Sequence, residues 1–199
     1  LVELDEQIAK FEQQKRWSDL IKTTLAKAEL VPEVRQKVEL FSAAGRMYLE
    51  RSSNQAEAIK CYQRVLDYES HDLEAITQLK GMYEKRRDWE HMIEVMRREC
   101  DLLDSVEQAA RRLEMAKLAN ERLRKPEVCI ELWQAVLTSD PGQPDAIAAL
   151  VPLYERAREW KPLADVLVRQ SEQVQGKTEL LPLLQKLGMI YGDKLQDDD

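Results

Sequence analysis

Few side chains in this chain combine a residue type and a spacing that could perform chemistry. The two histidines, His71 and His91, have no Cys, Asp or Glu partner at the spacing of a zinc site or a catalytic triad. The acidic residues alternate with Lys and Arg, a pattern typical of solvated helix faces rather than of paired catalytic carboxylates. The six glycines form no phosphate-binding loop. The sequence therefore predicts a protein that is not an enzyme.

The three cysteines have no metal-ligand spacing either. Cys61, Cys100 and Cys129 are an odd number of thiols, which predicts free cysteines in a reducing compartment. Their apolar neighbours indicate small core residues rather than redox-active groups. We therefore expect a cytoplasmic protein with no bound metal and no cofactor.

Net charge and hydropathy exclude two classes of partner. The formal net charge of −7 disfavours a general nucleic-acid binder, because neutralising phosphates requires a surplus of cations. The longest uncharged apolar stretch, Ala146 to Tyr154, has nine residues, whereas a membrane-spanning helix needs about 20. The sequence thus predicts neither nucleic-acid binding nor membrane insertion.

Aromatic residues recur along the chain at a nearly constant interval. The series is Phe11, Tyr48, Tyr83, Ala119, Tyr154 and Tyr191, in which Ala119 is the one member that is not aromatic, and the successive spacings are 37, 35, 36, 35 and 37 residues. Three tryptophans, Trp17, Trp89 and Trp160, follow at a doubled interval of 72 and 71 residues. A fixed period in this range indicates stacked supersecondary units, whose usual role is to present a long binding surface.

Each repeat contains two amphipathic helices. In the third repeat, Ile76, Leu79 and Tyr83 have helical spacing, and after the polar residues 85–88 the pattern resumes from Trp89. Neither helix can bury its apolar face alone, so the two should pack on each other and on the next repeat. Ser105, three residues before Gln108, predicts a capping box for the fourth repeat.

The apolar positions resemble those of the tetratricopeptide repeat family. Two repeats carry the resemblance best. The second has Phe41, Ala44, Gly45, Tyr48, Ala58, Tyr62, Val65 and Leu66, and the fourth has Met115, Ala116, Ala119, Cys129, Trp133, Val136, Leu137, Asp140 and Pro141. The resemblance implies an all-α fold, an α-solenoid of about 11 helices in antiparallel pairs that form a right-handed superhelix. The repeats here exceed the usual length of about 34 residues.

The repeats alternate between two sequence types with a combined period of about 71 residues. We expect a single solenoid over residues 1–199, as a fragment of a longer array, with units at 1–37, 38–72, 73–108, 109–143, 144–180 and a partial unit at 181–199. The partial unit lacks a second helix. Its apolar stripe, which includes Leu184, Leu187 and Tyr191, is therefore predicted to be exposed or to mediate self-association.

The resemblance also implies which residues line a concave groove, because the first helices of such repeats face it. By motif position these residues come from the first helices of the second to fifth repeats. They are Glu39, Ser42, Arg46, Leu49, Glu74, Thr77, Gly81, Glu84, Ala110, Leu113, Lys117, Asn120, Asp145, Ala148, Pro152 and Glu155. Pro152 lies in mid-helix, where it removes a backbone hydrogen bond and either bends the helix or shapes the groove.

These features predict a scaffold for protein–protein interaction that binds an extended peptide or a helix of a partner protein in the groove. The alternative is a structural spacer or oligomerisation segment of a larger multidomain regulator or enzyme. A second candidate surface is the segment 80–125, which has twelve Lys or Arg against ten Asp or Glu. Its cations should pair with adjacent glutamates, unless they meet an acidic partner.

Overall fold

The computed structural model describes residues 1–195, and these contain eleven α-helices, a short π-helical segment and no β-strand. The helices are α1 (Val2–Gln13), α2 (Trp17–Leu30), α3 (Val34–Arg51), α4 (Gln55–Tyr68), α5 (Leu73–Arg86), α6 (Trp89–Cys100), α7 (Ser105–Arg122), α8 (Pro126–Ser139), α9 (Pro144–Ala157), α10 (Trp160–Gln173) and α11 (Lys177–Met189). The π-helical segment is Ile190–Leu195. The prediction of an all-α fold with about 11 helices is confirmed.

Consecutive helices form hairpins. The connections between them have two to four residues. From α1 to α6, and again from α7 to α11, each helix packs on the next, so neighbouring helices in these two stretches are antiparallel. The chain divides into two compact units: the first is Leu1–Leu102 with α1–α6, and the second begins at Leu103 with α7. Within each unit the odd-numbered helices are the first helices of the repeats, and the even-numbered helices are the second. The right-handed superhelix stays a prediction.

The alternation of two repeat types is visible in helix length. The first helices α3 and α7 have 18 residues each, whereas α5 and α9 have 14. The longer helices begin at Val34 and Ser105, ahead of the unit boundaries expected at 38 and 109, and α11 begins at Lys177 ahead of 181. The additional turn in α3 and α7 accounts for a period longer than the roughly 34 residues that are usual for tetratricopeptide repeats.

One type of helix-to-helix turn recurs with the doubled period. The second helices α2, α6 and α10 begin at Trp17, Trp89 and Trp160. Before α6, Arg87 adopts a left-handed conformation with φ 55°, and the N–H of Asp88 donates to the carbonyl of Tyr83 at 2.9 Å. This is a Schellman-type helix end, in which the left-handed residue turns the chain so that the N–H groups after the helix donate to the unpaired carbonyls of its last turn. Lys15 and Arg158 occupy the same position before α2 and α10, with φ 54° and 57°.

Several helices have a side-chain hydrogen bond that caps their N-terminus. Asp72 accepts from the N–H of Ala75 at 2.7 Å and so caps α5, as its position in the sequence suggests. The capping box of α7 is formed by Asp104 and Glu107, not by Ser105 and Gln108. The prediction was wrong by one residue because a carboxylate at 104 can accept from both free N–H groups of the first turn.

The core of the first unit is tightest where α3 crosses α4. Tyr62 is fully buried beneath Gly45, and a Cβ atom at position 45 would lie 2.9 Å from Tyr62 Cε2. Glycine therefore allows the two helices to approach. Within residues 1–195 the phenol oxygen of Tyr62 has no hydrogen-bond partner. The same is true of the indole nitrogen of Trp133, which occupies the corresponding position of α8 in the second unit.

A second buried contact is repeated in the two units. Gln63 donates to the phenol oxygen of Tyr83 at 2.9 Å, and Gln134 donates to that of Tyr154 at 2.7 Å. The two pairs are 71 residues apart. A buried hydroxyl without a partner costs free energy, and in both units a glutamine of the preceding helix supplies that partner.

The last helix buries only part of its apolar stripe. Leu187 and Ile190 are buried, and α11 and the π-helical segment both pack on α10. Leu184, Met189 and Tyr191 remain 51%, 65% and 43% exposed. The predicted exposure thus holds for three members of the stripe and is wrong for the two that α10 covers. Self-association through this helix stays a prediction.

Candidate partner-binding surface

The residues predicted to line the groove lie almost entirely at the surface. We call the exposed and half-buried side chains of the first helices α3, α5, α7, α9 and α11 the first-helix surface and describe it within each unit separately. Its exposed members are Glu39, Arg46, Thr77, Glu84, Ala110, Lys117, Asn120, Asp145, Ala148 and Pro152. Its half-buried members are Leu49, Glu74, Gly81, Leu113 and Glu155.

Ser42 does not belong to this surface. Only 5% of the residue is exposed, because α3 turns this position towards its neighbouring helices. A partner could not reach it without opening the repeat, and we therefore leave Ser42 out of the candidate site.

Two predicted residues of the first unit form an ion pair between successive first helices. Arg46 on α3 donates from Nη1 to both carboxylate oxygens of Glu74 on α5, at 2.7 and 2.9 Å. The two side chains are 49% and 39% exposed. The pair therefore links adjacent repeats at the surface and remains within reach of solvent.

The second unit repeats this ion pair. Lys117 Nζ on α7 lies 2.7 Å from Asp145 Oδ2 on α9. Both partners stand 71 residues after their counterparts in the first unit, and each pair spans 28 residues. A further pair, between Glu155 on α9 and Lys186 on α11 at 2.5 Å, extends the series by one helix. Lys186 was not among the residues predicted from the sequence.

These ion pairs contribute little to stability. Each side chain is more than one-third exposed, and exposed ion pairs are worth about 0–1 kcal/mol. A polar partner could therefore exchange with one member of a pair at small cost. The pairs place alternating charges at fixed positions on the surface. Such charges align a partner and select its register more than they increase its affinity.

A cleft opens between α3 and α5 around Gly81. An added Cβ at Gly81 would meet nothing within 4 Å, so the space in front of the helix is open. Glycine inside a helix costs about 1 kcal/mol relative to alanine, and no packing constraint requires it here. The lining residues of this Gly81 cleft are Leu49, Ser53, Gln55, Thr77, Gln78, Gly81, Met82 and Lys85.

The lining of the Gly81 cleft combines apolar side chains with polar groups, of which Lys85 alone is charged. Met82 is buried and Leu49 is half-buried, so both present apolar surface to the cleft. Gln55 approaches the carbonyl of Met82 at 3.5 Å, and Thr77 donates to the carbonyl of Leu73 at 2.7 Å. The predicted residues Leu49, Thr77 and Gly81 are thus brought together in one site.

The hairpin turn next to this cleft carries three consecutive cations, Lys85, Arg86 and Arg87. All three are exposed, and none forms an ion pair with any residue between 1 and 195. Other cations of the segment 80–125 do pair with acids: Lys80 with Glu99 at 2.7 Å, for example. The expectation that this segment is internally paired therefore holds for part of it and is wrong for this turn.

Two further clefts lie between second helices and repeat with the doubled period. One lies between α4 and α6, where Gln63, Tyr83, Glu94 and Arg98 are among its lining residues. The other lies between α8 and α10, where each of these positions recurs 71 residues later, as Gln134, Tyr154, Asp165 and Arg169. Both contain charges of both signs. Sequence analysis did not find them, because they depend on how second helices of adjacent repeats meet.

His91 and the three cysteines take structural positions. His91 stacks on Tyr83, with ring centroids 5.4 Å apart, and lies 2.8 Å from a carboxylate oxygen of Asp88. The three cysteines are buried and form no disulfide within residues 1–195. Burial, assisted by the negative charge of Glu57, raises the pKa of the Cys61 thiol from 9.0 to about 11, which disfavours the reactive thiolate.

Neither a metal site nor a membrane span is found within residues 1–195. No group of three or more His, Cys, Asp or Glu side chains in that range could hold a metal ion. Nor does any helix in the same range combine the length and the apolar character that crossing a bilayer requires.

The helical hairpins, their doubled period and the recurring turn define a tetratricopeptide-like repeat fold. No family model and no curated protein matches the chain by sequence. Solved structures of similar fold include MamA, with 15% identity over 82% of this chain and 94% of that chain and a TM-score of 0.40. Others are a tetratricopeptide repeat protein from Parabacteroides merdae (12% identity, 98% and 74% covered, TM-score 0.43) and pilF from Pseudomonas aeruginosa (15% identity, 96% and 85% covered, TM-score 0.41). At these identities the similarity concerns the fold alone.

Proposed function

We propose that the chain is a protein–protein interaction scaffold that binds an extended peptide or a helix of a partner protein on its first-helix surface. The observation that carries this proposal is the Gly81 cleft. An open, part-apolar cleft that the sequence maintains with a helix-interior glycine is suited to receive a side chain from another molecule.

The groups around the cleft suit a peptide better than a small molecule. Ser53, Thr77 and Gln78 offer hydroxyl and amide groups that can bond to a peptide backbone, while Met82 provides apolar contact. The cleft is shallow and lies on one face of paired helices, without the enclosing walls of a small-molecule site. A peptide would cover such a surface by following the helices.

The cross-helix ion pairs support the same function by fixing where charges stand. Arg46 and Glu74 hold one another in place, and Lys117 and Asp145 do so in the second unit. A partner with complementary charges would be aligned by them, whereas like charges in the wrong register would repel.

The alternative function is a structural spacer or oligomerisation segment. The observation in its favour is the exposed apolar part of the last helix, at Leu184, Met189 and Tyr191. In that case the ion pairs between first helices would serve only to join repeats, and changes to the exposed surface would leave partner capture unaffected.

A charge swap separates the two functions. In Arg46→Glu/Glu74→Arg the ion pair is retained with its direction reversed, and Lys117→Asp/Asp145→Lys does the same in the second unit. Each variant would be immobilised and compared with the wild type for capture of proteins from a lysate of the source cell, quantified by mass spectrometry. We expect each swap to reduce capture of the same partner by about tenfold, since reversed charges oppose those of the partner.

The matched controls are Lys22→Glu and Lys161→Glu on the second helices α2 and α10. Both lysines are exposed and belong to no ion pair within residues 1–195, so each change removes no internal contact. The controls should capture normally, and circular dichroism should show unchanged helix content in every variant. Equal capture by the charge swaps and the wild type would contradict binding on the first-helix surface and favour the spacer.

A further inference from the structure

The charge around the Gly81 cleft distinguishes it from the two clefts between second helices. Lys85 is the single charged residue among its lining residues. The clefts between second helices contain carboxylates beside their arginines, Glu94 with Arg98 and Asp165 with Arg169. Of these three sites, the Gly81 cleft is thus the one with a purely positive lining.

The positive charge continues into the turn that follows Lys85. Arg86 and Arg87 extend the cluster, and none of the three cations is neutralised by an ion pair within residues 1–195. Asp88 is adjacent, but its carboxylate is directed to the start of α6, where it lies 2.8 Å from the ring of His91. Glu84 precedes the cluster without forming an ion pair to it.

The two cations predicted to face the groove, unlike those of the Lys85 turn, are already in ion pairs. Arg46 and Lys117 are each neutralised by a carboxylate of the next first helix, Glu74 and Asp145. A negatively charged partner would have to displace these internal carboxylates before it could use either cation. The turn of Lys85 offers positive charge without that competition.

We infer that the partner segment bound at the Gly81 cleft is an acidic peptide, which places a side chain over Gly81 and its carboxylates against Lys85, Arg86 and Arg87. This inference rests on the proposed function and adds the chemistry of the partner to it. Guanidinium groups bind carboxylates through paired N–H donors, and such charge-assisted hydrogen bonds are stronger than neutral ones. The chain's overall negative charge would repel an acidic partner elsewhere, which confines the attraction to this region.

The test begins with peptides of unbiased sequence. A randomised dodecapeptide library displayed on phage would be selected on the immobilised chain, and the enriched peptides would be synthesised with a fluorophore. Their affinities would be measured by fluorescence anisotropy for the wild type, Lys85→Glu/Arg87→Glu and Gly81→Leu. The enriched peptides should be rich in Asp and Glu, and both variants should weaken their binding by about tenfold or more.

The chain supplies a matched control for the charge change. Arg156→Glu/Arg158→Glu alters the same two positions of the equivalent turn, 71 residues later, and also leaves a non-glycine residue in the left-handed conformation. It changes the net charge by the same amount, so it reports any non-specific electrostatic effect. We expect this variant to bind the enriched peptides within about twofold of the wild type, because neither arginine belongs to the lining of the Gly81 cleft.

The other outcomes each overturn one of the two proposals. Enriched peptides that are neutral or basic but sensitive to Gly81→Leu would overturn the acidic partner and leave the peptide-binding surface in place. Equal losses in the two charge variants would overturn the assignment to the Lys85 turn. Acidic peptides that bind Gly81→Leu with wild-type affinity would overturn the assignment of the Gly81 cleft as the binding site. A 20-nucleotide single-stranded RNA would serve as a further probe. If it bound the wild type but not Lys85→Glu/Arg87→Glu, the turn would be a general polyanion site, and the assignment of an acidic peptide as the partner would be overturned.

Discussion

The guanidinium of Arg46 lies 2.7 and 2.9 Å from the two carboxylate oxygens of Glu74, and it joins the first helices of two successive repeats. Lys117 and Asp145 form the equivalent contact in the second unit. The two pairs differ in both residue types but keep the sign and direction of the charge. Contacts between repeats thus follow the same period of about 71 residues that the aromatic residues reveal.

The strength of this ion pair can be measured by a double-mutant cycle. Arg46→Ala, Glu74→Ala and the double variant should give a coupling free energy of about 0.2–1 kcal/mol in urea unfolding, since both side chains are more than one-third exposed. The coupling should shrink at about 1 M NaCl, where the screening length falls to about 3 Å. A coupling above about 2 kcal/mol, or one that salt does not change, would show that the pair is more deeply buried than described.

Two glycines on first helices should respond to alanine in opposite ways. Gly45→Ala places a Cβ 2.9 Å from the buried ring of Tyr62, so overpacking should destabilise the chain by about 1–3 kcal/mol. Gly81→Ala meets open space and should stabilise it by about 0.5–1 kcal/mol through helix propensity. Thermal unfolding of the two variants beside the wild type checks both signs. Stabilisation by Gly45→Ala would contradict the close approach of α3 and α4.

Stability should fall at alkaline pH because buried acidic groups must lose protons. Burial, together with the negative charge of Glu57, raises the pKa of Cys61 from 9.0 to about 11, and burial and Glu74 raise that of Tyr62 from 10.0 to about 12. The folded state therefore holds these protons more tightly than the unfolded chain. Their contribution is complete below about pH 9 and is lost as pH rises through 11 and 12.

Urea unfolding between pH 8 and pH 12 measures this dependence. Cys61→Ala/Tyr62→Phe should flatten the decline without abolishing it, because burial also raises the pKa of Tyr83 and of Tyr154. An unchanged slope in the double variant would show that other groups control the alkaline transition.

The left-handed residue before α10 offers a stabilising substitution. Arg158 has φ 57°, a conformation that costs a non-glycine residue about 1 kcal/mol. Arg158→Gly should therefore raise the free energy of unfolding by about 0.5–1 kcal/mol, with part of the gain offset by the flexibility of glycine in the unfolded chain. Arg156→Gly, inside the last turn of α9, should lower it by about 1 kcal/mol. Equal effects of the two changes in a denaturant titration would contradict the turn geometry.

The sequence predicted the elements of the fold well because helical periodicity is a local property. Trp17, Trp89 and Trp160 indicated where second helices begin, and each is the first residue of its helix. The boundary of α7 was less accurate, because Asp104 and Ser105 are both good capping residues and only the backbone geometry selects between them.

Contacts between helices were harder to anticipate. The sequence placed Arg46 and Glu74 on the same surface, but their pairing depends on the spacing of α3 and α5 after packing. The burial of Ser42 has the same origin, since its position on α3 faces neighbouring helices only once these are in place. The Gly81 cleft required the structure as well, because a glycine in a helix pattern predicts equally a close contact or an open space, and here the space is open.

Binding by two variants of Gly81 tests the central claim most directly. Gly81→Ala leaves the cleft open and Gly81→Leu fills it, while both replace glycine by a good helix former and should preserve the fold. The measurement is the affinity of each for the partner segment that the wild type captures, by fluorescence anisotropy. A scaffold that uses the first-helix surface predicts wild-type affinity for Gly81→Ala and a loss of about tenfold or more for Gly81→Leu. Wild-type affinity in both variants would contradict binding at this surface.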